Sequence, residues 1–107
     1  MINEIDSESL HDRLDRGDDL MLVDIRTPGE VAQGKIPGSI ELPMHLIPLR
    51  LSELPKDKDV VIYCRSGARS YQACAYLIQQ GHGRVLNLRG GIIAWARHGY
   101  QIDWPGA

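Results

Sequence analysis

A chain of 107 residues, 43% hydrophobic and 24% charged, has ordinary globular composition and the size of one domain, which excludes both a multidomain and a disordered reading. Apolar runs such as Leu20 to Val23 and Val60 to Tyr63 fall far short of the roughly 18 residues needed to cross a bilayer, and the acidic N-terminal stretch lacks the apolar centre of a secretory signal. The formal net charge of −2 is unevenly spread: residues 1–60 carry seven Lys/Arg against thirteen Asp/Glu, and residues 61–107 carry five against one. That balance argues against a nucleic-acid partner or a membrane, yet the basic C-terminal half can gather a small anion. A cytoplasmic single domain spanning residues 1–107 is the expectation. Cys64 and Cys74 lie ten positions apart, which is neither a redox CxxC nor a zinc spacing, so neither a disulfide scaffold nor a metal site is expected.

In chain order, short apolar runs alternate with amphipathic stretches, the pattern of an α/β domain. Asp6 suits a helix N-cap, with Ile5 and Leu10 placed as a hydrophobic staple and Leu14 one turn on. Gly17 closes that helix. Leu20 to Ile25 predicts a buried strand, and Thr27-Pro28-Gly29 either turns the chain or puts Pro28 at the first position of a short helix. After a turn at Pro37-Gly38, Ser39 to Leu42 predicts a brief strand. Met44, Ile47 and Leu51 then recur at roughly helical spacing, with Pro48 limiting regularity. Asp59 to Tyr63 is the clearest strand, rich in β-branched residues. A helix over Arg69 to Gln80 follows, with Ala73, Cys74, Leu77 and Ile78 on its apolar face and Gly81 as its stop. Arg84 to Leu88 predicts a further strand, Gly90-Gly91 a turn, and Ile92 to His98 a last helix. Together these predict a parallel sheet covered on both faces.

The stretch Cys64-Arg65-Ser66-Gly67-Ala68-Arg69-Ser70 falls at a strand-to-helix junction, where such sheets bind ligands. Gly67 permits a tight curve, and a curved run of backbone N–H groups entering a helix N-terminus cradles anions. Such a cradle would encircle the Cys64 sulfur. A free thiol is only a few per cent thiolate at neutral pH, so a nucleophilic cysteine needs a lowered pKa. A helix terminus contributes roughly 0.3 to 2 kcal/mol, at most about 1.5 pK units. Arg65 and Arg69 add to this only if they face the pocket, and no histidine adjoins Cys64 in sequence. Ser66 and Ser70 can instead satisfy loop and helix N–H groups. Cys74, among apolar helix residues, reads as core.

Four segments together resemble the rhodanese family, in particular its small single-domain sulfurtransferases. They are Val23-Asp24-Ile25-Arg26 with Glu30, Gly34-Lys35-Ile36-Pro37-Gly38-Ser39-Ile40, the Cys64 to Ser70 loop, and Gly90-Gly91-Ile92-Ile93-Ala94-Trp95 with Gly99. The resemblance implies an open parallel five-stranded sheet with helices on both faces, and Cys64 as a nucleophile carrying sulfane sulfur as a persulfide. It also implies that Asp24, Arg26 and Glu30 are mainly structural. Lys35, Val31 and Glu41 depart from residues common in the family, and none lies in the nucleophile loop.

The implied reaction is a two-step displacement with no metal or organic cofactor. Cys64 takes the outer sulfur of an anionic donor such as thiosulfate and passes it to a thiol or cyanide acceptor. The residues from Arg65 to Ser70 would bind the donor, with loop amides on the sulfur and the arginines attracting the dianion. A phosphatase or arsenate reductase also sets a cysteine in an anion loop, but reads Cys-x5-Arg. Here Ser70 stands six positions after Cys64 and Arg69 comes one residue early. A non-catalytic binding module is the other alternative, and the intact cysteine and loop glycine weigh against it.

Overall fold

The computed structural model describes residues 2–104. Their strands are β1 (Glu4–Ile5), β2 (Leu20–Asp24), β3 (Ile40–Glu41), β4 (Asp59–Tyr63) and β5 (Val85–Leu88), and their helices are α1 (Ser7–Asp15), α2 (Pro28–Val31), α3 (Ala68–Gln79) and α4 (Gly91–Arg97). The strands form one sheet in the order β1-β5-β4-β2-β3, and every pairing is parallel. The expected five-stranded α/β architecture is therefore present.

Burial on both faces explains the continuous apolar strands. Side chains alternate along β4, so Val60 and Ile62 join Ala73, Cys74 and Leu77 of α3 in one core cluster. Val61 and Tyr63 point the other way, toward Leu10 of α1 and Ile92 and Trp95 of α4. Cys64 continues the even-numbered face beyond the end of β4 and is 1% exposed in the α3-side cluster. Strand alternation thus carries the thiol toward the start of α3.

Local chemistry sets most boundaries. Asp6 caps α1 by accepting from the Ser9 N–H at 2.8 Å, and Ile5 and Leu10 share one core cluster, as a staple requires. Thr27 and Glu30 form a reciprocal capping box on α2, and Pro28 occupies its first turn, which decides the Thr27-Pro28-Gly29 ambiguity in favour of a short helix.

Three expectations change. The sheet gains β1, two residues whose partner, β5, is some eighty positions away in sequence; Ile5 carries both the staple and the strand. The helical spacing of Met44, Ile47 and Leu51 becomes two 3-10 segments, Met44–Leu49 and Leu51–Glu53, because Pro48 cannot supply the N–H of a continuing α-helix. Helix α3 begins one residue early, at Ala68, and Ser70 is buried on its inner face while Ile78 is only partly covered.

Candidate active site

At the end of β4 the chain curls around its own sulfur. The Gly67 N–H donates to Cys64 Sγ at 3.1 Å and the Ser70 N–H at 3.4 Å, and the Ser70 hydroxyl lies 3.4 Å from the same sulfur. The first intrahelical bond of α3 runs from the Tyr71 N–H to the Gly67 carbonyl, so the Ser70 N–H is a helix-terminal donor without a helical acceptor. Sulfur takes that place, at the positive end of the helix dipole.

Two glycines make the curl possible. Gly67 sits at φ +99° as the N-cap of α3, and a Cβ there would meet the Gly90 N and the Leu88 carbonyl oxygen at 3.3 and 3.4 Å. Gly91, at φ +59°, is tighter: a Cβ would come within 2.6 Å of the Cys64 carbonyl oxygen and closer still to that of Arg65. This approach lets the Ile92 and Ile93 N–H groups hold the Cys64 and Arg65 carbonyls at 3.0 and 3.1 Å. Gly90-Gly91 is therefore more than a turn, since it fastens the start of α4 onto the nucleophile loop.

Burial by itself pushes the Cys64 thiol up. Hydrogen bonds from the Ser70 hydroxyl and from the Ser70, Gly67 and Ser66 N–H groups outweigh that penalty and hold it below its ordinary value. Cys74 has no such donors, and burial pushes it up to about 12. The local environment therefore separates one activatable thiol from one inert thiol.

The arginines divide. Arg65 is exposed, makes no ion pair among the described residues, and lines a cleft of about 310 Å³ with Ile92, Ile93, Ile102 and Trp104. Arg69 instead meets Glu30, each terminal nitrogen lying 2.8 Å from a carboxylate oxygen. That pair, reinforced by Thr27, holds Glu30 at about 2. Ser66 and Ala68 are exposed on the outer side of the loop.

Behind the site, Asp24 and Arg26 form a buried pair, 0% and 5% exposed, with Arg26 also donating to the Gly34 carbonyl at 2.6 Å and the Glu30 carbonyl at 3.3 Å. These hydrogen bonds tie the end of β2 to α2 and the segment after it. Among the described residues no cluster of His, Cys, Asp and Glu is arranged to hold a metal ion. No described helix is long and apolar enough to cross a membrane.

A cysteine sulfur in an amide-lined loop on an open parallel sheet defines a class, and the chain belongs to the rhodanese-like family: the model of the rhodanese-like domain matches residues 6–98. Within that class it is similar to a sulfurtransferase of Allochromatium vinosum, 75% identical over 105 residues and spanning 98% of each chain. It is also similar to a thiosulfate sulfurtransferase of Stutzerimonas stutzeri, 39% identical over 83 residues, or 78% of this chain and 75% of that one. A solved structure from Rhodopseudomonas palustris, of a protein described as a possible tyrosine phosphatase, superposes with a TM-score of 0.87 at 29% identity, covering 95% of this chain and 85% of the other.

Sequence reasoning located the loop but missed Asn87. It is 2% exposed on β5, with its side chain between Ser70, Gly67 and Glu4. The one available signal was a polar residue among Val85, Leu86 and Leu88, where a buried strand is otherwise apolar.

Proposed function

We propose that this protein is a sulfurtransferase that moves sulfane sulfur from thiosulfate or a related anionic donor to a thiol or cyanide acceptor through a persulfide on Cys64. The observation that carries the reading is the ring of donors from Gly67 and Ser70 on a single sulfur atom. In the first step the Cys64 thiolate attacks the outer sulfur of thiosulfate. A new S–S bond forms, the donor's S–S bond breaks, and its electron pair leaves with sulfite. In the second step the acceptor bonds the outer sulfur and the electron pair of the broken S–S bond returns to Sγ.

Loop amides hold the negative charge in place, since they are preorganised donors that need not reorient as charge develops. The unpaired, exposed Arg65 is the better placed of the two arginines to draw in a dianion. Arg69 is already paired with Glu30, so its role is weaker than its position in the sequence suggested. No metal or organic cofactor enters either step. Two free thiols suit a reducing compartment such as the cytoplasm.

Phosphoryl transfer is the competing reading, favoured by the likeness to the Rhodopseudomonas palustris protein. The loop speaks against it: only four residues separate Cys64 from Arg69, that arginine is turned to Glu30, and the ring of loop amides and one hydroxyl closes on the sulfur itself. A transferred phosphoryl group brings three equatorial oxygens that need donors of their own.

Intact-mass measurement separates the two readings. Thiosulfate should add one sulfur atom and cyanide should remove it. Aryl phosphates should be left unhydrolysed. Phosphate release that depends on Cys64, without persulfide formation, would overturn the sulfurtransferase reading.

A further inference from the structure

The Ser70 hydroxyl has one proton and two acceptors within reach: Cys64 Sγ at 3.4 Å and, at closer range, Asn87 Oδ1. The orientation of Asn87 is not free. Its Nδ2 donates to Glu4 Oε2 at 2.9 Å and to the Gly67 carbonyl at 3.2 Å, and both are acceptors only. Turning the amide over would set its oxygen against a carboxylate and a carbonyl, so Oδ1 must face Ser70. Ser70 is fully buried and Asn87 nearly so, so the two acceptors compete for the hydroxyl in low-dielectric surroundings.

We infer that the Ser70 hydroxyl is a two-position proton switch and that Asn87 is the positioning residue that sets it. When Sγ is an unionised thiol, or the inner, uncharged sulfur of a persulfide, the Ser70 proton rests on Asn87 Oδ1. When the acceptor takes the outer sulfur, the S–S bond breaks and its electron pair settles on Sγ. The hydroxyl then rotates to donate to the new thiolate. No proton is gained or lost by the protein, and only the direction of one O–H changes. The step draws the leaving thiolate's stabilisation from a donor already present, at the moment the charge appears. This role rests on the sulfur-carrying function proposed for Cys64.

The charged groups on the elements around Cys64 are Arg65 on its own loop, Arg69 on α3, the Asp24–Arg26 pair at the end of β2, Glu30 on α2, and Glu4 on β1 with its partner Arg89. None of them bonds Sγ. Following the mass of the Cys64 peptide itself assigns the titration to the thiol.

The test is the pH dependence of Cys64 alkylation by iodoacetamide, followed by mass on the Cys64 peptide. Ser70→Ala should raise the midpoint by about one pH unit, because the thiolate loses its hydroxyl donor. Asn87→Leu removes the competing acceptor and should lower the midpoint by about one pH unit. In the Ser70→Ala background the same Asn87→Leu change should leave the midpoint where Ser70→Ala alone put it. An equal shift in both backgrounds, or no shift in folded Asn87→Leu protein, overturns the inference. Should Asn87→Leu fail to fold, the unmodified protein still decides. The Asn87 Nδ2 amide resonances should move through the Cys64 titration and cease to do so in Ser70→Ala, and a flat response in the unmodified protein overturns the switch. Failure of thiosulfate to load sulfur, with these titrations as expected, counts against the sulfurtransferase reading alone.

Discussion

Arg69 reaches from the first turn of α3 to Glu30 on α2, closing a two-pronged contact in which both guanidinium nitrogens lie 2.8 Å from carboxylate oxygens. An arginine in an anion-binding loop is expected to serve the anion, yet this one is committed to a carboxylate that also caps its own helix through Thr27. The pair joins two elements that flank the candidate nucleophile and lowers the positive charge offered to a substrate.

Glu30→Gln should therefore raise the rate of sulfur loading from thiosulfate at low salt, because Arg69 is released toward the site. The gain should fade toward 1 M salt, where the Debye length is about 3 Å. Steady-state kinetics over a salt series, with a neutral persulfide donor as control, checks this. An unchanged thiosulfate rate at every ionic strength would mean that Arg69 does not act on the donor.

Substituting Gly91 should be costly, because its missing Cβ would meet main-chain atoms rather than a movable side chain. Gly91→Ala forces a Cβ against the Cys64 and Arg65 carbonyls at a left-handed φ, so we expect a loss of at least about 1–3 kcal/mol and of sulfur loading. Gly29, in α2 with nothing near its missing Cβ, should instead accept alanine with a gain of about 0.5–1 kcal/mol. Urea denaturation with the intact-mass assay compares the two.

The buried Asp24–Arg26 pair predicts an asymmetry. Asp24→Asn strands the Arg26 guanidinium away from water and should cost about 3–5 kcal/mol. Replacing both members together with apolar residues of similar volume should cost less than the single change, because no charge is then left unpaired. Denaturation midpoints of the single and double variants decide it.

Cys64 and Cys74 should titrate apart. Iodoacetamide should modify Cys64 with a midpoint below the ordinary 9.0, while Cys74, pushed up to about 12, stays unmodified in the folded state. The same difference enters stability. Between the folded pKa of Cys64 and 9.0 the unfolded chain holds the thiol proton and the folded chain does not, so Cys64's contribution grows as pH rises through that window and is lost below it. Cys64→Ser should abolish sulfur loading, and Cys74→Ser should leave it intact. Loading lost on Cys74→Ser in a folded protein would reassign the nucleophile.

The sequence by itself determined whatever depends on near neighbours. Asp6 and Thr27 cap their helices with side chains three residues from the amides they serve, the β-branched run at Val60 to Ile62 favours strand, and Gly67 admits the one backbone angle the loop needs. The motif of the Cys64 loop was legible because all its donors to sulfur lie within six residues of the cysteine. What only the tertiary structure decided involves partners far apart in the chain. A two-residue strand has too few side chains to announce itself, and Glu4–Ile5 becomes β1 only because β5 offers it a free edge. The direction of Arg69 depends on a carboxylate 39 positions earlier, and that of the Ser70 hydroxyl on an amide 17 positions later. Hydrogen bonds hold only over a few tenths of an ångström and a limited range of angles, so such pairings are fixed by how β2, β4 and β5 pack side by side. Residue type supplies the donors and acceptors, and the parallel sheet decides which of them meet.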